Sequence, residues 1–327
     1  MSAHRFRWAP FLRLFVGLAL VAVLVRSVGA PDVRAALGPL RNHPGAIAAA
    51  LGLTFLALFA GAVRWHVLLR ALRLPAPFAL TFRGFFIGQF FNAFLFGACG
   101  GDVARAVYAA HDHSEKRTEA VTSVFLDRAI GLVLTLLFGC AMLLPRLGAF
   151  ARDPEARLAV ALMGLFLVAT GAFLVLFFTH DLFERIPWLA RWQHHGRVGP
   201  LLRRAYDALF LFRRNARHLA WPTVLSLANL LLLAAATAVL ARALDLSIRV
   251  PDLLTVYPVI TVLAAVPLTP GSLGVRETLY IHLLHPLGVP PGPALMLSLL
   301  GYLAATVWSL FGGLLFLLHP RPAAPRA

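Results

Sequence analysis

The sequence predicts an all-α polytopic membrane protein, with about six full transmembrane helices and two re-entrant, broken helical hairpins in an inverted repeat. Three observations carry that prediction. Hydrophobic residues make up 60% of the 327 and charged residues only 13%, against roughly 25% charged in soluble domains, and mean hydropathy is +0.79. Arginine-rich stretches between apolar runs fix the side on which each loop lies. Two apolar stretches, 85–105 and 256–277, meet glycine, proline and charge at what should be mid-depth. Such features are tolerated there only where protein or water lines a cavity.

The apolar spans run at about 10–28, 46–63, 120–144, 158–178, 220–240 and 294–318, each near the roughly 20 residues a crossing needs. Arg5 and Arg7 before the first run, and Val28-Gly29-Ala30 after it, resemble a signal peptide. Topological parity makes 10–28 an uncleaved first span instead. The stretch 180–219 holds eight arginines and is cytoplasmic. Counting back from it, 101–119 is cytoplasmic. Counting forward from an internal N-terminus, so are Arg64, Arg70 and Arg73. Both ends of 79–100 then lie inside, so it enters and turns back. The same count puts both ends of 253–287 outside.

Each half therefore has two crossings, a hairpin and a third crossing, and an odd number of crossings inverts the second half. The halves are related by a shift of about 175 residues, the layout of secondary transporters whose discontinuous helices meet near the midplane. The chain 1–327 is expected to be one integral membrane domain, with half-repeats 10–145 and 158–318 and both termini cytoplasmic. Within 180–219, an apolar stripe at Leu201, Leu202, Ala205, Leu209 and Phe212 beside arginines fits an interfacial helix on anionic lipid, or a loop helix packed on the domain. The competing topology has eight ordinary spans.

In the first hairpin, Gly100-Gly101 is expected to end one half-helix and Asp102 to cap the next, with Arg105 one turn on. A helix N-terminus with an arginine beside it seats a phosphate, and Asn92 on the entering half-helix offers a headgroup a hydrogen bond. A plain cap for Asp102 and a topology anchor for Arg105 are the structural alternatives. In the second hairpin, Pro267, Pro270, Gly271 and Gly274 forbid a continuous helix. Ser272 is expected to cap the returning half-helix, putting Arg276 and Glu277 in its first turn, as a lipid-phosphate site or a buried ion pair. Asp127 and Arg128 lie inside the third span on different helix faces. Each is expected to find a partner from a hairpin, as in Asp127–Arg105 or Asp102–Arg128, or else to snorkel to the interface.

Little else carries chemistry. The basic residues flank apolar spans, so the net charge of +16 points to headgroups and not to nucleic acid. Cys99 and Cys140 have no metal or redox spacing, and His111, His113, His194 and His195 lie in polar loops. No metal or cofactor is expected. No phosphate-binding loop for ATP is present.

The ordered set Asn92-x7-Gly100-Gly101-Asp102-x2-Arg105, then Leu126-Asp127-Arg128, then Pro267-x2-Pro270-Gly271-Ser272-Leu273-Gly274-Val275-Arg276-Glu277 resembles the flippase-like, lysylphosphatidylglycerol synthase transmembrane-region family over about residues 10–318. Ser272 stands where that family commonly has glycine, and Phe96 near a position where proline often precedes the Gly-Gly-Asp. The resemblance implies a lipid translocator of the bacterial plasma membrane. Its substrate would be a phospholipid or a lipid-linked molecule of polyprenyl-phosphate or hopanoid type, and its partners membrane lipids. The chain is expected to stand without the soluble aminoacyl-transferase domain of the large members, and not to be an enzyme. Two other functions stay open: an intramembrane transferase with Mg2+ on Asp102 and Asp127, and a non-transporting scaffold for a lipid-synthesis enzyme.

Overall fold

The computed structural model describes Arg26 and residues 38–94, 100–179, 217–266, 269 and 272–318, and every regular element among them is helical. The expected first span apart from Arg26, the apolar stripe of the basic stretch, Pro267, Pro270 and Gly271 lie outside the described residues. The described residues include ten α-helices, in chain order α1 Pro44–Ala71, α2 Phe78–Phe94, α3 Gly100–Asp112, α4 Arg117–Leu143, α5 Leu147–Arg152, α6 Pro154–Thr179, α7 Arg217–Ala243, α8 Val250–Leu263, α9 Val275–Leu284 and α10 Pro291–Leu318.

Among the described residues, five helical stretches are long and apolar enough to cross a membrane: Pro44–Ala71, Arg117–Arg152, Ala156–Leu176, His218–Ala243 and Pro291–Leu318. They match five of the six expected spans, so the protein is multi-pass. The short helices behave differently. Helices α2 and α3 have 17 and 13 residues, about 26 and 20 Å at 1.5 Å per residue. Helices α8 and α9 have 14 and 10 residues, about 21 and 15 Å. None of the four matches the roughly 30 Å of a hydrocarbon core.

Helix ends follow local chemistry. Helix α1 starts with Pro44, whose missing N–H costs nothing at a first turn. It closes at Arg73, which takes φ 56° while Leu74 N–H donates back to the Leu69 carbonyl at 2.9 Å. Helix α7 closes the same way, with Asp245 at φ 54° and Leu246 N–H on the Ala241 carbonyl at 2.9 Å. Both are six-to-one closures that satisfy carbonyls the helix leaves open.

Packing brings the short helices against the long ones. Helix α1 lies along α7, α2 packs on α10, and α8 packs on α4. Glycine makes the second contact possible: at Gly312 of α10 a Cβ would run into the Phe86 carbonyl of α2, and at Gly313 into the Phe90 ring. Aromatic rings fill that seam, with Phe82 and Phe86 at 4.6 Å between centroids, Phe86 and Phe311 at 5.5 Å, and Phe55 and Trp308 at 4.7 Å. At the other seam, Gly139 of α4 faces Pro258 of α8. One apolar core gathers residues of α1 to α4, and a second gathers Ala50 of α1 with residues of α4 to α10.

Three expectations about the hairpins are corrected. Gly100 and Gly101 do not end the entering half-helix: they belong to the first turn of α3, and Asp102 lies inside that helix with them and is not a cap ahead of it. The reason is close approach. Gly101 N–H donates to Asn92 Oδ1 at 2.8 Å, and a Cβ there would strike the Gly88 carbonyl and the Asn92 side chain. Nor does Ser272 cap α9. Its backbone is at φ 57° and its hydroxyl donates to the Ala264 carbonyl at 2.6 Å. The cap position belongs to Gly274 at φ 84°, whose N–H is taken by Glu277 Oε2 at 2.6 Å.

Candidate functional site: a guanidinium-lined cavity

Asp127 is the hub of the first charge cluster. Its side chain is 1% exposed. Arg64 on α1 donates through Nε to Oδ1 at 2.6 Å, and Arg105 on α3 donates through Nη2 to Oδ2 at 2.8 Å. A buried carboxylate needs this: desolvation of one charge is offset only by close partners of opposite sign. The Arg105 guanidinium also lies over two aromatic faces, 4.3 Å from the Trp65 centroid and 4.9 Å from Phe85. Trp65 is held by donating to Ser123 Oγ at 3.0 Å. Asp102 sits between Arg105 at 3.7 Å and Arg128 at 3.8 Å, ion-pair separations too long for hydrogen bonds. Arg64 Nη1 reaches Ser226 Oγ on α7 at 2.9 Å, so one arginine touches α4 and α7 together.

The second cluster surrounds Glu277, which is completely buried. Besides the Gly274 N–H on Oε2, its Oε1 accepts from Arg276 Nη2 at 3.0 Å and from Ser298 Oγ of α10 at 3.0 Å. Arg276 donates through Nε to Ser298 Oγ at 3.1 Å, and its guanidinium carbon is 4.9 Å from the Tyr302 ring centroid. The two clusters are built alike. A short helix carries charge in its opening turns and ties it to the long helix next in the chain, Arg105 to α4 and Arg276 to α10.

Both clusters reach one cavity of about 420 Å³ between α1, α2, α4, α7, α8, α9 and α10. Arg64, Arg128 and Arg276 line it. Among the described lining residues there is no carboxylate; the remaining polar groups are hydroxyls and amides, including Gln89, Asn229, Thr135, Tyr257 and Tyr280. Asp102, Asp127 and Glu277 stand behind this wall, each against an arginine. The carboxylates considered for Mg2+ thus face guanidiniums, and among the described residues no three His, Cys, Asp or Glu side chains gather as a metal site.

Of the residues singled out from sequence, Arg128, Ser272 and Arg276 line the cavity. Asp102, Arg105, Asp127 and Glu277 support its charged wall, and Asn92, Gly100, Gly101 and Gly274 shape the helix starts behind it. Sequence reasoning missed Arg64, Ser226 and Ser298. Arg64 reads with Arg70 and Arg73 as a membrane-edge cluster, although α1 runs on to Ala71 and carries it inward.

A comparison with protein families matches residues 11–313 to the family described as lysylphosphatidylglycerol synthase TM region. Comparison with the curated proteins gives no match.

Proposed function

The chain belongs to the lysylphosphatidylglycerol synthase transmembrane-region family, and from that premise we propose that it moves an anionic, phosphate-bearing lipid between the leaflets of the plasma membrane. One observation carries this reading: three guanidiniums, and no carboxylate among the described residues, line a half-open cavity between apolar helices. Guanidinium presents a planar fork that matches phosphate oxygens. Arg64, Arg105, Arg128 and Arg276 outnumber Asp102, Asp127 and Glu277 by one, and a surplus cation in a membrane protein is costly and asks for an anion. The cavity takes the headgroup while the acyl chains stay in the bilayer.

Transport is the natural work of an inverted repeat. On this reading α1 corresponds to α7, α2–α3 to α8–α9, and α4 to α10. The exchanged pairs agree: α2 packs on α10 and α8 on α4, while the axial pair α1 and α7 pack on each other. Arg70-Ala71-Leu72-Arg73-Leu74 and Arg242-Ala243-Leu244-Asp245-Leu246 end α1 and α7 with the same left-handed turn, a shift of about 170 residues. The short pairs α2–α3 and α8–α9 act as hairpins entering from opposite faces, the first from the cytoplasm. Rocking of one half on the other exposes the cavity to each leaflet in turn. The termini lie in the cytoplasm, and the protein carries lipid without transferring a group to it.

The test is reconstitution of the full chain in liposomes with labelled phosphatidylglycerol. Movement above that of protein-free liposomes, reduced about tenfold or more by Arg276→Ala or Arg128→Ala, is the expected result. A wild-type rate equal to that of empty liposomes, or variants as fast as wild type, overturns the reading.

A further inference from the structure

We infer that the lipid's headgroup is a phosphodiester carrying a neutral polyol, glycerol or a sugar, and not an amine. The inference rests on the reading of the cavity as a lipid site, and its ground is the way donors and acceptors are divided on the cavity wall.

The strongest donors are cationic. Arg64, Arg128 and Arg276 line the cavity. The carboxylates near them are already engaged: Asp127 by Arg64 and Arg105, Glu277 by Arg276, Ser298 and the Gly274 N–H. An ammonium headgroup entering here meets three like charges and finds no carboxylate on the described wall. The same clusters set the charge of the ligand. Arg64, Arg105, Arg128 and Arg276 stand against Asp102, Asp127 and Glu277, which leaves one surplus cation. A phosphodiester neutralises that charge; a diphosphate overshoots it.

Part of the remaining polar wall accepts. The Thr54 hydroxyl donates its proton to the Ala50 carbonyl at 2.7 Å, and Thr135 to Gly131 at 2.8 Å. The Asn229 amide nitrogen donates to the Ala57 carbonyl at 2.6 Å. All three side chains line the cavity. The hydroxyl protons are spent on their own helices and one of the two Asn229 amide protons on a neighbouring helix, so these three side chains offer the ligand three oxygens and one remaining N–H. Oxygens of this kind pair with O–H donors. A bare phosphate monoester supplies the anion but no neutral hydroxyl on an organic group. The volume, about 420 Å³, is at the low end of small-molecule sites and holds a phosphate and a polyol, not acyl chains.

Binding to the purified full chain tests this with four lipids of the same acyl chains: phosphatidylglycerol, phosphatidic acid, phosphatidylethanolamine and lysylphosphatidylglycerol. Phosphatidylglycerol is expected to bind about tenfold tighter or more than either amine lipid, and tighter than phosphatidic acid. Thr135→Val is expected to narrow the gap between phosphatidylglycerol and phosphatidic acid without bringing the amine lipids level. Equal or tighter binding of the amine lipids overturns the inference, as does binding of phosphatidic acid on a par with phosphatidylglycerol. The ranking is read from binding, so it separates from the transport reading. If the ranking holds while no lipid crosses a liposome membrane, transport falls and the headgroup assignment stands. If lipids cross with no preference, the assignment falls alone.

Discussion

Arg64 Nε donates to Asp127 Oδ1 at 2.6 Å, tying α1 to α4 across 63 positions of chain, with both side chains withdrawn from solvent. Arg64 also faces the cavity, so the contact is at once a strut between helices and one end of the ligand wall. Its two duties make it the residue through which an anion in the cavity competes with a protein carboxylate.

Removing the carboxylate strands two buried cations. Asp127→Ala leaves Arg64 with only the Ser226 hydroxyl and Arg105 with only Asp102 at 3.7 Å, a loss of roughly 3–5 kcal/mol for a broken buried pair. The melting temperature in detergent should fall by several degrees, and Asp127→Glu should recover part of it. An unchanged melting temperature would mean that the cluster carries no stability.

The contact between α2 and α3 is set by absence of a side chain. At Gly101 a Cβ would meet the Gly88 backbone carbonyl and the Asn92 side chain, and a carbonyl on a packed helix cannot step aside. Gly101→Ala is therefore expected to cost about 1–3 kcal/mol by overpacking and to displace the start of α3. At Gly164 on α6 a Cβ meets nothing within 4 Å, so Gly164→Ala should leave thermal stability unchanged or slightly raised by better helix propensity. Equal effects at the two sites in melting curves would rule out close approach as the reason for Gly101.

Glu277 neutralises Arg276 while holding the start of α9. Glu277→Gln keeps an acceptor for the Gly274 N–H and removes the negative charge beside Arg276. The variant is expected to fold, to bind phosphatidylglycerol severalfold tighter, and to release it more slowly, because the freed guanidinium now depends on the ligand for its counter-charge. Isotherms and dissociation rates with labelled phosphatidylglycerol decide this; weaker binding than wild type contradicts it.

How far these features could be read in advance depends on their physics. Five spans were legible because an apolar run of that length has no other explanation. Asp127 with Arg105 was legible because charge inside an apolar run must find a partner. Arg64 was not: it stands near Arg70 and Arg73 and reads as part of a membrane-edge cluster, yet α1 continues to Ala71 and draws it inward. Ser226 and Ser298 leave no trace either, since a serine in an apolar helix usually bonds its own preceding turn, as Ser226 does with the Pro222 carbonyl at 2.8 Å. Ser272 was misread for a different reason. Serine is a strong cap, but glycine at 274 with glutamate three positions on supplies the first-turn contact instead.

The orientation of the short helices is open to direct chemistry. On the hairpin reading, the turn between α3 and α4 is cytoplasmic and the turn between α9 and α10 faces outward. With eight ordinary crossings both turns would face outward. Glu115 and Pro290 are exposed residues in these two turns. Single cysteines at each, in a chain whose Cys99 and Cys140 are replaced by alanine, can be challenged with a membrane-impermeant maleimide on intact cells and after permeabilisation. Pro290→Cys is expected to react in intact cells, and Glu115→Cys only after permeabilisation. Labelling of both in intact cells would leave α2 with α3, and α8 with α9, as crossings, and the two-sided access that transport requires would lose its basis.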